Sequence, residues 1–305
     1  MKRVIVIGGT GFIGRALVKR LRQMSFHVVS VGSVDADLTE FGSLNKFDDD
    51  FDIVFHLAAW TQAGDFCLYH SGEQWLINQK INTTVLDWCL RTQRHAKIVA
   101  FGTSCAYAPG SRHIEDEYLT GNPIEDLYTY AMTKRMLYVG LKAMNKQFGT
   151  EYLVVVPSTV YGPNYYLHGK QLHFIFDLIR KILAYKHKQE PVKLWGDGYQ
   201  RRELIYIDDF LDDMLTILPR VKNDILNIGA DADHSIREFA AVICEVAGVD
   251  ASTIQYDEDA YVGARSKILN CDKLKSLLPV LHRTDLESGI RHTVQWMEDA
   301  LFNNA

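Results

Sequence analysis

Short unbroken apolar runs alternate along the chain with longer stretches whose apolar residues recur every three or four positions. RVIVIG (3–8), HVVSVG (27–32), DIVFHLA (52–58), KIVAFG (97–102), YLVVVP (152–157) and DILNIG (224–229) read as strands. Between them, 12–24 places Phe12, Ile13, Ala16, Leu17 and Leu21 on one helical face, and 74–93 and 128–148 form longer helices. Continuous apolar strands separated by helices predict a parallel sheet covered on both faces. The texture changes after Pro157. YGPNYYLHGK reads as a loop, 171–185 as a helix, VKLWGDG (192–198) as a short strand and turn, and ELIYIDDFLDDMLTIL (203–218) as a strand running into a helix capped by Asp208. Ser235 followed by Glu238 forms a capping box for a helix through about 247, and 285–301 forms the last helix. The expected fold is α/β, a doubly wound parallel sheet of Rossmann type with a smaller C-terminal domain. The first domain takes 1–165 plus 204–229, and the second takes 166–203 plus 230–305. The cleft between them lies outside the C-terminal ends of the parallel strands.

Composition narrows the partners rather than the fold. Of 305 residues, 47% are hydrophobic and 23% charged, and the formal net charge is −5. That balance argues against broad binding to nucleic acid or anionic membrane, and leaves room for a small basic pocket. Cys67, Cys89, Cys105, Cys244 and Cys271 show neither paired spacing nor a metal pattern, the usage of a reducing cytoplasm. The opening MKRVIVIGG is too short an apolar run for a signal peptide, and no run reaches the ~20 residues that span a bilayer. The terminal FNNA is expected to fray.

The candidate chemistry starts at GGTGFIG, which puts Gly8, Gly11 and Gly14 between the first strand and the first helix. Such a turn lets a dinucleotide pyrophosphate approach the backbone and meet the helix N-terminus. The end of the second strand normally chooses between NAD and NADP. Here it reads Gly32-Ser33, with Asp35 and Asp37 slightly later and Arg15 approaching from the first helix, so both cofactors stay open. Further along, Tyr130 and Lys134 stand four apart on the long helix and share a face. A phenol titrates near ~10, so a neighbouring ammonium together with a nicotinamide cation is expected to favour its phenolate and fit it for proton exchange with an alcohol oxygen during hydride transfer. Thr103, at the end of KIVAFG, can hydrogen-bond the same oxygen.

With GGTGFIG, HLAA (56–59), FGTSCAY, Tyr130/Lys134, VYGP (160–163), ELIYIDD and LNIG, the chain resembles the extended short-chain dehydrogenase/reductase family, the NAD-dependent epimerases and dehydratases, over nearly its whole length. Within it, FGTSCAY is similar to the segment of the GDP-L-fucose synthase group. The resemblance implies that Thr103 assists Tyr130 and that Cys105 moves a proton at carbon. It places the partner acid at His173, with His168 a local competitor. It implies dinucleotide contacts from Gly8, Thr10, Gly11, Phe12, Ile13 and Gly14, from Asp37 and Leu38, from Leu57, Ala58 and Ala59, and from Tyr130, Lys134 and Pro157. A nucleotide sugar, GDP-linked, would meet Asn164, Trp195, Arg202 and Lys267, with Arg265 a second basic candidate. A homodimer through helices 74–93 and 128–148 is implied as well.

The chain departs from that pattern at Thr103, which replaces a serine, at the second strand, and around Asn164-Tyr165-Tyr166. Three readings therefore stand beside a GDP-4-keto-hexose epimerase/reductase. One is a C4 reductase or dehydrogenase of a GDP-hexose or GDP-heptose without epimerase activity. Another is a 4,6-dehydratase, which would carry Asp-Glu where Ser104-Cys105 stand. The third is a non-catalytic cofactor-sensing protein, which would lack the tyrosine or lysine. Cys67, Cys89, Cys244 and Cys271 are read as packing residues.

Overall fold

The computed structural model describes residues 2–63, 66–259 and 265–303, so Tyr261 to Ala264 of the YVGARSK motif and the last two residues of FNNA lie outside the described residues. In chain order the first part runs β1 (Arg3–Ile7), α1 (Phe12–Gln23), β2 (His27–Val31), β3 (Ile53–His56), α2 (Phe66–Tyr69), α3 (Ser71–Thr92), β4 (Lys97–Phe101), α4 (Tyr128–Phe148) and β5 (Tyr152–Pro157). The rest runs β6 (Thr159–Tyr161), α5 (Phe174–Lys188), β7 (Lys193–Trp195), β8 (Arg201–Tyr206), α6 (Ile207–Ile217), β9 (Asp224–Ile228), β10 (Asp233–Ser235), α7 (Ile236–Ala247), β11 (Gln255–Asp257), β12 (Ser266–Lys267), α8 (Asp272–Leu277) and α9 (Leu286–Glu298).

Among the described residues the central sheet has six strands in the order β2-β1-β3-β4-β5-β9, every pair parallel. Its interior strands are buried almost without interruption because helices cover both faces, and only the edge strand β2 is part-exposed. α1 packs against α6 and α3 against α4. The predicted α/β architecture is therefore the observed one.

A second, smaller sheet joins β10, β8 and β12, with β6 added beside β8. β7 and β11 form a separate parallel pair, and α5, α7 and α9 pack together. Within the segment 204–229 assigned to the first domain, β9 completes the six-stranded sheet and α6 packs on α1, but β8 belongs to the second sheet. The capping box at Ser235 and Glu238 forms as the sequence suggests. The expected cap at Asp208 does not. α6 begins at Ile207 behind Tyr206, and Arg20 binds Asp208 at 3.2 Å as well as Asp212, so those carboxylates tie α6 to α1 instead.

Candidate active site

The glycine turn is built by steric exclusion. Gly8 has a left-handed φ of +89°, and a Cβ there would stand 2.8 Å from the Ala58 backbone nitrogen. The Leu57 N–H donates to the Ile7 carbonyl at 2.9 Å, so the GGTG and HLAA segments meet where β1 and β3 end. A Cβ on Gly14 would fall 2.1 Å from the Gly8 carbonyl oxygen, which lets α1 sit directly on the turn. α1 starts at Phe12 behind Gly11, with no side-chain cap and no acidic residue in its first turn. Its first N–H groups, with Phe12, Ile13 and Gly14, are left for an anion. These features fit a dinucleotide pyrophosphate.

The loop after β6 closes over this turn. Asn164 has φ +70°, and Arg15 donates to its carbonyl at 2.5 Å and to that of Thr10 at 3.3 Å. Arg15 thus ties turn to loop rather than reaching the tip of β2. Tyr165 stacks on Phe176 at 3.8 Å and meets Phe12 edge-on at 5.1 Å. The Tyr166 hydroxyl lies 3.2 Å from where a Gly11 Cβ would stand, and the Lys170 ammonium sits 4.6 Å from the Tyr166 ring centre. Of the three departures noted in the sequence, the Asn164-Tyr165-Tyr166 stretch is the one that covers the turn. At the β2 tip, Asp35 accepts from the Gly32 N–H at 2.8 Å. Asp37, one residue before Leu38, accepts from the hydroxyl and N–H of Thr39, which hold its carboxyl below the usual range.

Thr103 follows β4 and caps the single turn Ser104–Ala106, accepting from the Cys105 N–H at 3.3 Å. The Thr103 N–H donates to the Tyr118 hydroxyl at 3.2 Å. Tyr130 and Lys134 do share a face of α4, with the ammonium 6.0 Å from the phenol ring centre. Lys134 alone does not bring the Tyr130 pKa down. Burial pushes it well up, and the neighbouring Cys105, Tyr118 and Cys67 add to the effect. Burial also lowers Lys134 to about 8. The ammonium stands at the ring rather than paired with the phenolic oxygen, so desolvation outweighs attraction. Behind it, His56 Nε2 meets Asn82 Oδ1 at 3.0 Å, and burial holds the imidazole down at about 4.

The second sheet brings its cations to the same place. Lys267 on β12 pairs in register with Arg202 on β8, which sets the two side chains on one face. The Lys267 ammonium donates to Cys105 Sγ at 2.8 Å. Burial alone would raise the thiol, but the charge and hydrogen bond of Lys267 outweigh it and the Cys105 pKa falls. His173 stands at the N-cap of α5, its Nδ1 buried without a partner. Burial, then Lys267 and Arg202, lower it to about 4.

Tyr130, Cys105, Lys267, His173 and Arg202 therefore form one linked cluster, with Thr103 and Lys134 attached. His168 is exposed. Trp195 is 64% exposed on β7, Asn164 is exposed and offers its backbone oxygen to Arg15, and Arg265 is exposed. Pro157 ends β5. Cys89, Cys244 and Cys271 are buried packing residues as expected. Cys67 is buried too, yet its sulfur interacts electrostatically with Cys105 and Tyr130, which places a second thiol beside the cluster.

The model of the NAD dependent epimerase/dehydratase family matches residues 4–229. The chain belongs to that family. It is an NAD(P)-dependent enzyme of the oxidoreductase/epimerase class. GDP-L-fucose synthase of Dictyostelium discoideum is 29% identical over 98% of this chain and 96% of its own length. Among solved structures, a GDP-6-OMe-4-keto-L-xylo-heptose reductase from C. jejuni superposes with a TM-score of 0.87 at 20% identity, covering 98% of both chains. A GDP-L-fucose synthetase from Naegleria fowleri bound to NADP gives 0.85 at 22% identity, covering 99% of this chain and 95% of its own. Those two likenesses show the fold. Sequence reasoning missed Cys67 and the Lys267–Cys105 contact. Neither has a local signal, because the partners come from distant segments.

Proposed function

We propose that the chain epimerises a GDP-linked 4-keto sugar beside its ketone and then reduces it at C4. The observation that carries this reading is the Cys105–Lys267–His173 cluster beside Thr103 and Tyr130. A thiolate and an imidazole are two proton carriers beyond those that a plain ketone reduction requires. Carbons next to a ketone are acidic, so Cys105 can take a proton from one face while His173 returns one to the other. Thr103 and Tyr130 hold the C4 oxygen, and Tyr130 gives it a proton on reduction. Gly8, Thr10, Gly11, Phe12, Ile13 and Gly14 would hold the pyrophosphate of NAD or NADP, with Leu57, Ala58, Ala59 and Pro157 along the strand ends and Lys134 on α4. When bound, that cofactor supplies the hydride. Arg202 and Lys267 would bind the sugar's diphosphate, for which a guanidinium is well shaped. The relatives named for GDP sugars support this substrate class.

One observation favours a second reading, C4 reduction or dehydrogenation without epimerisation. His173 held at about 4 is uncharged at neutral pH and has no imidazolium proton to give. Incubation with GDP-4-keto-6-deoxymannose and NADPH or NADH, followed by NMR of the product, decides between them. An inverted C3 or C5 supports the epimerase, and a reduced sugar of unchanged configuration supports the plain reductase.

The dimer reading rests on α3 and α4, where Trp75, Leu76, Met136 and Val139 are exposed at 40%, 61%, 42% and 40%. We propose that a second copy covers this face, in a cytoplasmic enzyme. Light scattering should give twice the chain mass, falling to one with Leu76→Glu plus Met136→Glu. A wild-type monomer removes the dimer.

A further inference from the structure

Lys267 touches one member of the proton-transfer pair and acts electrostatically on the other. Its ammonium lies 2.8 Å from Cys105 Sγ, and its charge reaches the His173 ring. Register with Arg202 across β8 and β12 fixes it there, on the face where a diphosphate would bind. The two contacts have opposite meanings. A cation beside a thiol favours the anion, whereas a cation beside an imidazole disfavours the second cation.

We propose that Lys267 is a positioning residue that sets the charge states of the pair: it holds Cys105 as thiolate and His173 as neutral imidazole in the free enzyme, and a diphosphate binding at Arg202 and Lys267 lets His173 take up a proton. The second half rests on the substrate class proposed above, while the first half is independent of it.

The surroundings of both groups support the assignment. Thr103 from its own turn, Tyr130 from α4, Cys67 from α2 and Tyr118 face Cys105, and Lys267 is the cation among them. Lys267 and Arg202 face His173, whose buried Nδ1 has no partner to steady a charge. In the free enzyme the Cys105–His173 pair is then two bases with no acid between them. A bound diphosphate brings negative charge to both cations and removes the obstacle to imidazolium, the added proton coming from solvent. In the step itself a C–H bond beside the ketone breaks, its electron pair passes into the enolate, and the proton forms S–H on Cys105. His173 N–H then breaks as a new C–H bond forms on the opposite face, so no proton or electron pair is left over. Proton transfer is thereby made conditional on the correct ligand.

The test uses the full chain without cofactor or substrate. Iodoacetamide alkylation of Cys105 is mapped by mass against pH in wild type, Lys267→Met and Lys267→Arg, with Cys105→Ser as control. The other four thiols are buried, and burial raises all four, Cys244 to about 11 and Cys271 to about 12, so they should react slowly. Wild-type Cys105 should react at neutral pH. Lys267→Met should move the midpoint up by at least about one pH unit, roughly tenfold less thiolate at neutral pH, and Lys267→Arg should restore it. Equal midpoints in wild type and Lys267→Met, with both chains folded by circular dichroism, overturn the first half.

For the second half, the His173 ring proton is followed by NMR against pH with and without GDP. Its midpoint should rise by at least about one unit when GDP is present. An unmoved midpoint, or no binding of GDP by calorimetry, overturns that half. A chain that shows Lys267-dependent alkylation but turns over no GDP sugar keeps the first half and loses the functional reading. A chain that epimerises the sugar with no Lys267 effect on alkylation does the reverse.

Discussion

Tyr130 and Lys134 reach the site from one helix, whereas Cys105, Lys267, Arg202 and His173 reach it from a turn after β4, two paired strands and a helix start. The first half is a spacing, and the second is a meeting of distant segments: Lys267 and Cys105 are 162 positions apart. The difference extends to the electrostatics. Around Tyr130 and Lys134, burial dominates and makes both charged forms costly. Around Cys105, a direct ion pair overcomes burial. A half built on one element is suited to a proton transfer completed by a bound cofactor. A half built from several elements can respond to a substrate that touches more than one of them.

The sharpest way to separate the halves is Tyr130→Phe. Loss of one acid–base group typically costs about 10²–10⁴-fold, and that loss should fall on hydride transfer while cofactor affinity and solvent exchange at the sugar carbons persist. Near-normal reduction by this variant would move the acid elsewhere.

Next in size is the cost of burying Lys134. Its pKa is lowered from 10.5 to about 8, so the unfolded chain binds more protons between those values and stability rises as pH increases across that window. The stability is fully present above 10.5 and is lost as pH falls through about 8. Lys134→Met should therefore be more stable than wild type at pH 7, by up to about 3 kcal/mol, with the gap narrowing by pH 9.5. Urea unfolding at the two pH values measures it, and a gap independent of pH would show that Lys134 is not buried as a charge.

A smaller effect is expected at the glycine turn. Gly14→Ala drives a methyl into the Gly8 carbonyl and should cost about 1–3 kcal/mol of cofactor binding, stability or both, read by calorimetry and thermal unfolding. Unchanged values in both would mean that the turn tolerates a side chain and is not the cradle described.

The half built on one element is also the half that could be read in the sequence. GGTGFIG, the Tyr130/Lys134 spacing and the Ser235/Glu238 capping box each lie within a few residues, and local geometry decides them. The parallel strands were legible because burial on both faces leaves an unbroken apolar run. The same feature hid the place of β8, since ELIYI looks alike in either sheet. Asp208 was misread because a cap and an ion-pair partner carry the same carboxylate, and Arg20 lies far away in the chain. Exposure of Trp195 and the approach of Cys67 to Cys105 depend on long-range packing that no local pattern records.

The central claim is that Cys105 and His173 move protons at carbon independently of the reduction by Tyr130. The most direct measurement is deuterium uptake from D₂O into GDP-4-keto-6-deoxymannose, with hydride transfer measured separately in the same variants. Cys105→Ser and His173→Gln should lose exchange at C3 and C5 while still reducing a 4-keto sugar that needs no epimerisation. Full exchange in both variants, or exchange and reduction falling together, would contradict the account.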